Sequence, residues 1–178
     1  IFHSDYSDMQ ISVVDGPAPT LTNAGDATLE GAELELSFRP IDDLNINAFV
    51  GYLDASYETL SPRALMSGIT LGSRLPNTSE WQYGASVSYE FALGAGLTLR
   101  PHVDWSYRSS QELDAANEPL LHQDGYSLVN AVLTLTPPDE RWAVSLSGRN
   151  LTDEAYLVSG IAQYNIGEIE GQYARPQE

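Results

Sequence analysis

The chain has 178 residues, with 8 basic and 25 acidic side chains, a formal net charge of −17 at pH 7, and no cysteine. This charge opposes binding to nucleic acid phosphates and to anionic lipid headgroups. The lack of cysteine excludes disulfides, thiolate metal sites and a cysteine nucleophile.

In chain order, the sequence predicts about seven β-strands. Apolar and polar residues alternate with a period of two, as in strands whose two faces meet different media. The first candidate, residues 2–13, is weaker, and its pattern does not assign the faces. The other candidates are residues 31–38, 44–53, 81–91, 97–108, 128–135 and 142–147.

Two of these segments have the clearest faces. In residues 81–91 one face is apolar: Trp81, Tyr83, Ala85, Val87, Tyr89 and Phe91. In residues 97–108 the apolar face is Leu97, Leu99, Pro101, Val103, Trp105 and Tyr107, opposite the charged side chains Arg100, His102, Asp104 and Arg108. Residues 44–53 are less regular, because Phe49 falls on the polar face. The pattern predicts a sheet with one apolar and one polar surface.

The connections between the strands alternate in length. Short connections rich in Pro, Gly and Asp are predicted at residues 39–43, 92–96 and 137–140. Long ones are predicted at residues 15–28, 58–80 and 109–125, and from residue 157 to the C-terminus. An antiparallel up-and-down meander with short turns at one end and long loops at the other is typical of bacterial outer-membrane β-barrels.

A soluble β-sandwich is the alternative, because its strands alternate in the same way. Strand length favours the barrel, since soluble strands average ~5 to 6 residues and membrane-spanning strands need ~9 to 11. Aromatic residues such as Trp81 and Trp105 lie near strand ends, where interfacial girdles require them. Charged side chains on the polar face suit a watery lumen better than a packed interior. The predicted fold is therefore all-β, an antiparallel meander that forms part of a large transmembrane barrel.

The stretch SGRNLTDEAY, residues 147–156, interrupts the last alternating segment. Asn, Thr and Asp side chains bind nearby backbone groups and favour a turn over a continued strand. We therefore expect this stretch to end a strand at the membrane rim, with Tyr156 anchored at the outer interface.

The same stretch resembles the end of the penultimate strand in TonB-dependent outer-membrane receptors. The residues that carry the resemblance are Asn150, Leu151, Thr152, Asp153 and Tyr156. Residues 23–40, 49–57 and 75–91 resemble segments of the same family in the same order. The resemblance covers nearly the whole chain.

The resemblance implies a place in a larger molecule. Such receptors are similar to 22-stranded barrels with a plugged lumen. Residues 1–178 are then expected to be the C-terminal part of the barrel, and residues 173–178 resemble the run before its closing strand. The final strand, the earlier barrel and the plug are expected to lie outside this chain.

The resemblance also implies a function. The complete protein would import a scarce nutrient such as a ferric siderophore across the outer membrane of a Gram-negative bacterium. Its partners would be outer-membrane lipid, a metal chelate or other small nutrient, and the TonB energy-transducing system, which acts through the plug. A soluble or surface β-module that binds carbohydrate or protein through long loops is the alternative.

Candidate binding residues lie in one loop. Residues 109–125 carry Glu112, Asp114, Glu118, His122 and Asp124, which have the oxygen and nitrogen donors that hold Ca²⁺ or an iron complex. A solvated acidic loop is the favoured interpretation of the same residues.

A second candidate group lies on the predicted lumen face, where Arg100, His102 and Asp104 alternate along one strand. The spacing is compatible with a metal site or an acid–base pair. A single His beside a cationic Arg is a poor metal site, so a salt-bridge ladder is favoured. Arg100 and His102 are kept as weak substrate-binding candidates.

No catalytic residue, cofactor-binding residue or metal ligand is predicted. Ser127 and Ser145 have no His and Asp near them in sequence to form a nucleophile, so an enzyme is not expected.

Overall fold

The computed structural model of the chain describes residues 1–14, 19–163 and 166–174. In chain order the strands are β1 (Phe2–Val14), β2 (Pro19–Ile41), β3 (Leu44–Tyr57), β4 (Trp81–Tyr89), β5 (Phe91–Ala92), β6 (Thr98–Arg108), β7 (Gln111–Glu112), β8 (His122–Gln123), β9 (Tyr126–Thr136), β10 (Val144–Gly148), β11 (Leu157–Gln163) and β12 (Glu168–Tyr173). One short helix, α1 (Pro62–Met66), lies between β3 and β4. No helix in the described ranges is long and apolar enough to cross a membrane.

Most of these strands form one antiparallel sheet in the order β1-β2-β3-β4-β6-β9-β10, with β5 pairing with β6. Neighbours in this sheet follow one another in chain order. This is the predicted up-and-down meander. The predicted short connections are confirmed at one end of the sheet, where residues 42–43, 93–97 and 137–143 join paired strands. The predicted strand positions are therefore confirmed by the pairing.

The register confirms the predicted faces of the sheet. One row of directly opposite residues is entirely apolar: Leu36, Ala48, Ala85, Trp105 and Val129. The next row is entirely polar: Ser37, Asn47, Ser86, Asp104 and Asn130. Because side chains opposite each other across paired strands share a face, the sheet has one apolar and one polar surface.

The apolar face is uncovered. Leu34 is 67% exposed, Leu36 58% and Leu146 74%. Two small sheets, β7-β8 and β11-β12, are separate from the main sheet in the described part of the chain, and neither buries this face. A β-sandwich needs a second sheet on the apolar face, so the predicted meander describes the fold and the sandwich does not.

Phe49 accounts for the irregular pattern of β3. Its side chain lies on the polar face against Gly84 of β4, and a Cβ atom at Gly84 would stand 2.8 Å from Cε1 of Phe49. The same contact recurs between Phe2 of β1 and Gly31 of β2, where the corresponding distance to Cζ is 2.5 Å. Each ring occupies the space that the missing side chain of the glycine leaves open.

The prediction of a long loop at residues 15–28 is wrong for the described part of that range. Residues 15–18 lie outside the described residues, but Pro19 to Thr28 belong to β2, which pairs with β1. On the face that carries Leu34 and Leu36, Ala32 is the last apolar residue. The next two positions on that face are the polar residues Glu30 and Thr28. Before Ala32 the apolar residues Leu21, Ala27 and Leu29 fall on the opposite face, and Asn23 and Gly25 interrupt them, so no single alternation continues through the strand.

The segment after residue 157, also predicted as a loop, contains the hairpin β11-β12. Its residues 164–165 and 175–178 lie outside the described residues. The loops at residues 58–80 and 109–125 are confirmed; they contain α1 and the short β7-β8 pair. These two loops are called loop A and loop B below.

The buried apolar side chains of the described residues gather at the loop end of the sheet. One cluster joins β1, β2, β3 and the two loops, with the members Ile11, Ala24, Ala27, Tyr57, Ala64, Ile69, Leu75 and Ala115. A second joins loop B to β11, with the members Leu113, Leu121, Leu157 and Ala162. Tight packing therefore lies in the loop layer, whereas the two-faced part of the sheet has little of it.

Candidate functional site

The polar face of the sheet carries hydrogen bonds and ion pairs between strands. Arg100 of β6 forms an ion pair with Glu90, and Nε2 of His102 lies 3.9 Å from Oδ1 of Asp104. Asp104 also accepts a 2.7 Å hydrogen bond from Nδ2 of Asn130 on β9. These contacts agree with the salt-bridge ladder that the sequence favoured for Arg100 and His102.

Asn150 organises the turn that ends β10. Its backbone N–H donates to Oδ1 of Asn130 at 2.9 Å, which ties the turn to the polar face. Its side chain donates to the carbonyl of Glu154 and accepts from the N–H of Glu154, both at 2.9 Å. Asn150 has a φ of 49° and Asp153 a φ of 54°. Asn and Asp tolerate this left-handed region better than most residues, so the turn matches its sequence.

Tyr156, expected at the outer interface, stacks on Tyr126 of β9, with ring centroids 4.2 Å apart. Tyr126 lies opposite Arg108, which lies opposite Gln82, so Tyr126 belongs to the polar face of the sheet. This packing fixes the chain where it leaves the turn and enters β11.

Three of the five acidic-loop candidates come together. Oε1 of Glu112 lies 2.7 Å from Nδ1 of His122, and Nε2 of His122 lies 3.5 Å from Oδ1 of Asp124. Glu112 is buried, whereas the Asp124 side chain is 95% exposed. Glu112 and His122 are also opposite each other in the β7-β8 pair, so their contact closes the base of loop B.

The other two candidates shape the tip of loop B. Asp114 accepts hydrogen bonds from the N–H groups of Glu118 at 2.7 Å and Ala116 at 3.2 Å. Glu118 accepts from the N–H of Leu120 at 3.3 Å and begins a 3-10 turn. Burial raises the pKa of the Asp114 carboxyl, and the two backbone N–H groups oppose that rise.

The lumen candidates and the loop candidates do not form one site. Arg100 lies eight positions before Arg108, the loop end of β6. At roughly 3.3 Å per residue this places Arg100 about 26 Å from that end. Within the described ranges, no group of three or more His, Asp or Glu side chains is arranged to hold a metal ion.

Contacts that the sequence did not reveal bind loop A to loop B. The N–H of Arg74 donates to Oδ1 of Asn117 at 2.7 Å, and Nδ2 of Asn117 donates to the carbonyl of Arg74 at 2.9 Å. The Arg74 guanidinium donates to Oγ of Ser110 at 3.2 Å and to its carbonyl at 2.8 Å. Closer to the sheet, Ser79 donates to Gln111 at 3.0 Å, and both side chains are buried.

The β11-β12 hairpin is bound to loop B in turn. The N–H of Leu157 donates to Oε1 of Gln123 at 2.6 Å. Gly160 lies against Leu121, where a Cβ atom would stand 2.4 Å from Cδ2. The two loops and the hairpin thus form one connected layer.

A cavity of about 350 Å³ lies within this layer and is called the loop cavity. Its walls come from β1, loop A, loop B and β11, and include Ile11, Ile69, Leu113, Asp114, Ala116 and Ile161. Among the loop candidates predicted from sequence, only Asp114 lines it. The remaining lining residues carry no periodic signal, because four separate segments contribute them.

The chain is similar to a protein family and to several solved structures. The family model described as TonB dependent receptor-like, beta-barrel matches residues 1–151. The ferric yersiniabactin uptake receptor FyuA from Yersinia pestis matches with a TM-score of 0.79 and 22% identity, over 98% of this chain and 25% of that one.

Two receptors from Acinetobacter baumannii have the same fold. The ferric preacinetobactin receptor BauA matches with a TM-score of 0.65 and the siderophore receptor PiuA with 0.63, each at 18% identity and covering 98% of this chain. The chain spans 24% of each of those structures and 25% of FyuA, which is about a quarter of their length.

Proposed function

The chain belongs to the TonB-dependent receptor β-barrel family, and we propose that it forms part of the wall of an outer-membrane transporter that imports a scarce nutrient such as a ferric siderophore. The two-faced sheet carries the proposal. Its uncovered apolar rows suit contact with lipid, and its polar rows suit a watery lumen. The relatives named as siderophore receptors support this class of substrate.

Aromatic side chains mark one boundary of the proposed lipid contact. Tyr52 and Trp81 have ring centroids 4.8 Å apart, and Tyr83 and Tyr107 have centroids 4.7 Å apart. These rings lie toward the loop end of the apolar face. Beyond them, polar residues such as Glu30 take the positions that apolar residues hold elsewhere on this face. Such rings with polar tips favour the headgroup level of a membrane. The loops then lie on the extracellular side, as is typical when one end of a barrel carries the long connections.

We also propose that further strands pair with the two edges of the sheet. In the described part of the chain, β1 pairs with β2 alone and β10 with β9 alone, so each has an edge with unpaired backbone groups. Within a bilayer those groups must be satisfied by neighbouring strands. The length of the relatives supports our proposal that further strands and a plug lie elsewhere in the protein, and that the plug contacts the TonB system.

Solute uptake by cells tests the function. A strain that lacks the receptor gene and a complemented strain should be compared for uptake of ferric chelates, cobalamin, haem and oligosaccharides. We expect only the complemented strain to accumulate one of these classes of solute. This uptake should stop when the proton gradient across the inner membrane is collapsed. Equal uptake of every class by the two strains would overturn the proposal.

A further inference from the structure

We propose that the loop cavity binds the transported molecule through an aliphatic group that is either uncharged or positively charged, and that it rejects anionic groups. This inference rests on the proposed import function and adds a contact site and a substrate class to it. The apolar side chains and the single carboxylate of the cavity together define one kind of ligand.

The volume of the loop cavity fits part of a small molecule. About 350 Å³ is near the lower end of the ~300 to 1,000 Å³ of ligand pockets. The wall is mixed: its aliphatic side chains include Ile11 from β1, Ile69 from loop A, Leu113 from loop B and Ile161 from β11, and its neutral polar side chains are Gln10, Ser12, Ser67 and Asn77. An aliphatic group that enters therefore leaves water itself and contacts apolar side chains from four segments.

The charge of the loop cavity is set by Asp114. It is the one ionisable side chain among the described lining residues. Each of its oxygens accepts one backbone N–H bond, which fixes the orientation of the carboxylate. A carboxylate has about four acceptor positions, so it retains the capacity to accept a donor from a ligand.

No basic side chain offsets that charge at the described cavity wall. Arg74 of loop A does not line the cavity, and its guanidinium is bound to Ser110. An ammonium or a hydroxyl group can donate to Asp114, whereas a carboxylate would be repelled by it. Burial also raises the pKa of Asp114, which agrees with a partly desolvated carboxyl.

The loop cavity lies on the side of the sheet that a substrate would reach. Ile11 packs in the same cluster as Ala27 and Tyr57. Tyr57 shares the face of Phe49 by alternation along β3, which is the polar face. The cavity is therefore associated with the proposed lumen side, at its extracellular end.

Probes of one shape and different charge test the inference. Cyclohexylmethylammonium, cyclohexylmethanol and cyclohexanecarboxylate should be titrated into the purified complete receptor in detergent, with binding measured by calorimetry. We expect the ammonium and the alcohol to bind at least about tenfold more tightly than the carboxylate, a difference of about 1.4 kcal/mol. Equal affinity for the ammonium and the carboxylate would overturn the inference.

Two variants locate the binding. Ala116→Phe fills the cavity and should abolish binding of the ammonium and the alcohol. Asp114→Asn should reduce the preference for the ammonium over the carboxylate. Asp43→Asn removes the same charge from the exposed turn between β2 and β3, at the opposite end of the sheet, and should leave the preference unchanged. Hydrogen exchange of loop B identifies a variant that has lost its structure. Normal probe binding by a folded Ala116→Phe receptor would contradict the site.

Uptake separates this inference from the function on which it rests. Probe binding with the expected pattern in a receptor that imports no solute would refute the transport proposal and leave a binding site of the stated class. Normal uptake by the two cavity variants, together with unchanged probe affinities, would refute the cavity and leave the transport proposal in place.

Discussion

Val87 and Ser86 are neighbours in β4 whose side chains meet different surroundings. Val87 lies in an apolar row between Ile46 and Val103, and Ser86 lies in a polar row between Asn47 and Asp104. The proposed function places lipid on the first row and water on the second. The two positions therefore give a matched pair for testing the face assignment.

Val87→Arg should destabilise the complete barrel by about 2 to 4 kcal/mol, the range for Arg at the midplane of a bilayer. Ser86→Arg should be much milder, because the long side chain can extend into water. Folding titrations into lipid vesicles measure both changes in the free energy of unfolding. Equal losses for the two variants would contradict the assignment of faces.

Asn150 supports a second prediction at this scale. Asn150→Ala removes both side-chain bonds to Glu154 and places a Cβ-bearing residue without a polar side chain at positive φ. We expect a loss of about 1 to 3 kcal/mol in local stability. Hydrogen exchange of residues 149–156 in the complete receptor should then accelerate.

Asn150→Gly separates the two causes, because glycine relieves the backbone strain but restores no hydrogen bond. It should fall between the natural protein and Asn150→Ala. Thr152→Ala, at an exposed position of the same turn, should leave the exchange unchanged. If all three variants exchange at the natural rate, the hydrogen bonds of Asn150 do not hold the turn.

Arg74 and Asn117 supply most of the side-chain hydrogen bonds between loop A and loop B described above. Arg74→Ala removes the two guanidinium bonds to Ser110. Asn117→Ala removes the bonds of its side chain to the backbone of Arg74. Each change should accelerate hydrogen exchange in both loops, since each loop supplies partners for the other.

The control for this prediction is Arg141→Ala at the short-turn end of the sheet, where Arg141 pairs with the exposed Asp139. It should leave both loops unchanged. Faster exchange confined to the mutated loop would show that the loops are independent, in conflict with the observed contacts.

The sequence predicted elements only where the two faces of a strand meet different surroundings. In β4 and β6 every second residue lies in an apolar row of the sheet. Alternation in the sequence therefore located both strands and assigned their faces. In the extension of β2 before Ala32, the apolar residues change to the opposite face and polar residues interrupt them, so the predicted loop is wrong there. Alternation placed Phe49 on the polar face, but its contact with Gly84 could not be predicted, because that partner is known only once the register of β3 and β4 is known.

The candidate site shows the same limit. The acidic residues of loop B were identified by composition, and the structure uses Glu112 and His122 to close the loop. The loop cavity depends on four segments that meet only in three dimensions, so no local pattern indicated it. Whether any of the seven candidate residues contacts a substrate stays a prediction.

For the whole molecule, the uncovered apolar face predicts that the 178-residue chain will aggregate in water. Large apolar patches and unpaired strand edges both promote association. Analytical ultracentrifugation in plain buffer should show large species, while the complete receptor in detergent should be a discrete, protease-resistant particle. A monomeric chain that unfolds cooperatively in plain buffer would contradict the proposed membrane location.

The connection between loop A, loop B and the β11-β12 hairpin has a consequence for how such receptors diversify. A single loop transplanted from a relative would lose its reciprocal partners, such as Arg74 for Asn117 or Leu121 for Gly160. We therefore expect these three segments to be inherited and recombined as a set, and substitutions in one of them to be accompanied by compensating substitutions in another. Two of the short turns are linked in the same way, because Gly96 lies against Pro138, where a Cβ atom would stand 3.1 Å from Cγ, so we expect residues 93–97 and 137–143 to change together as well.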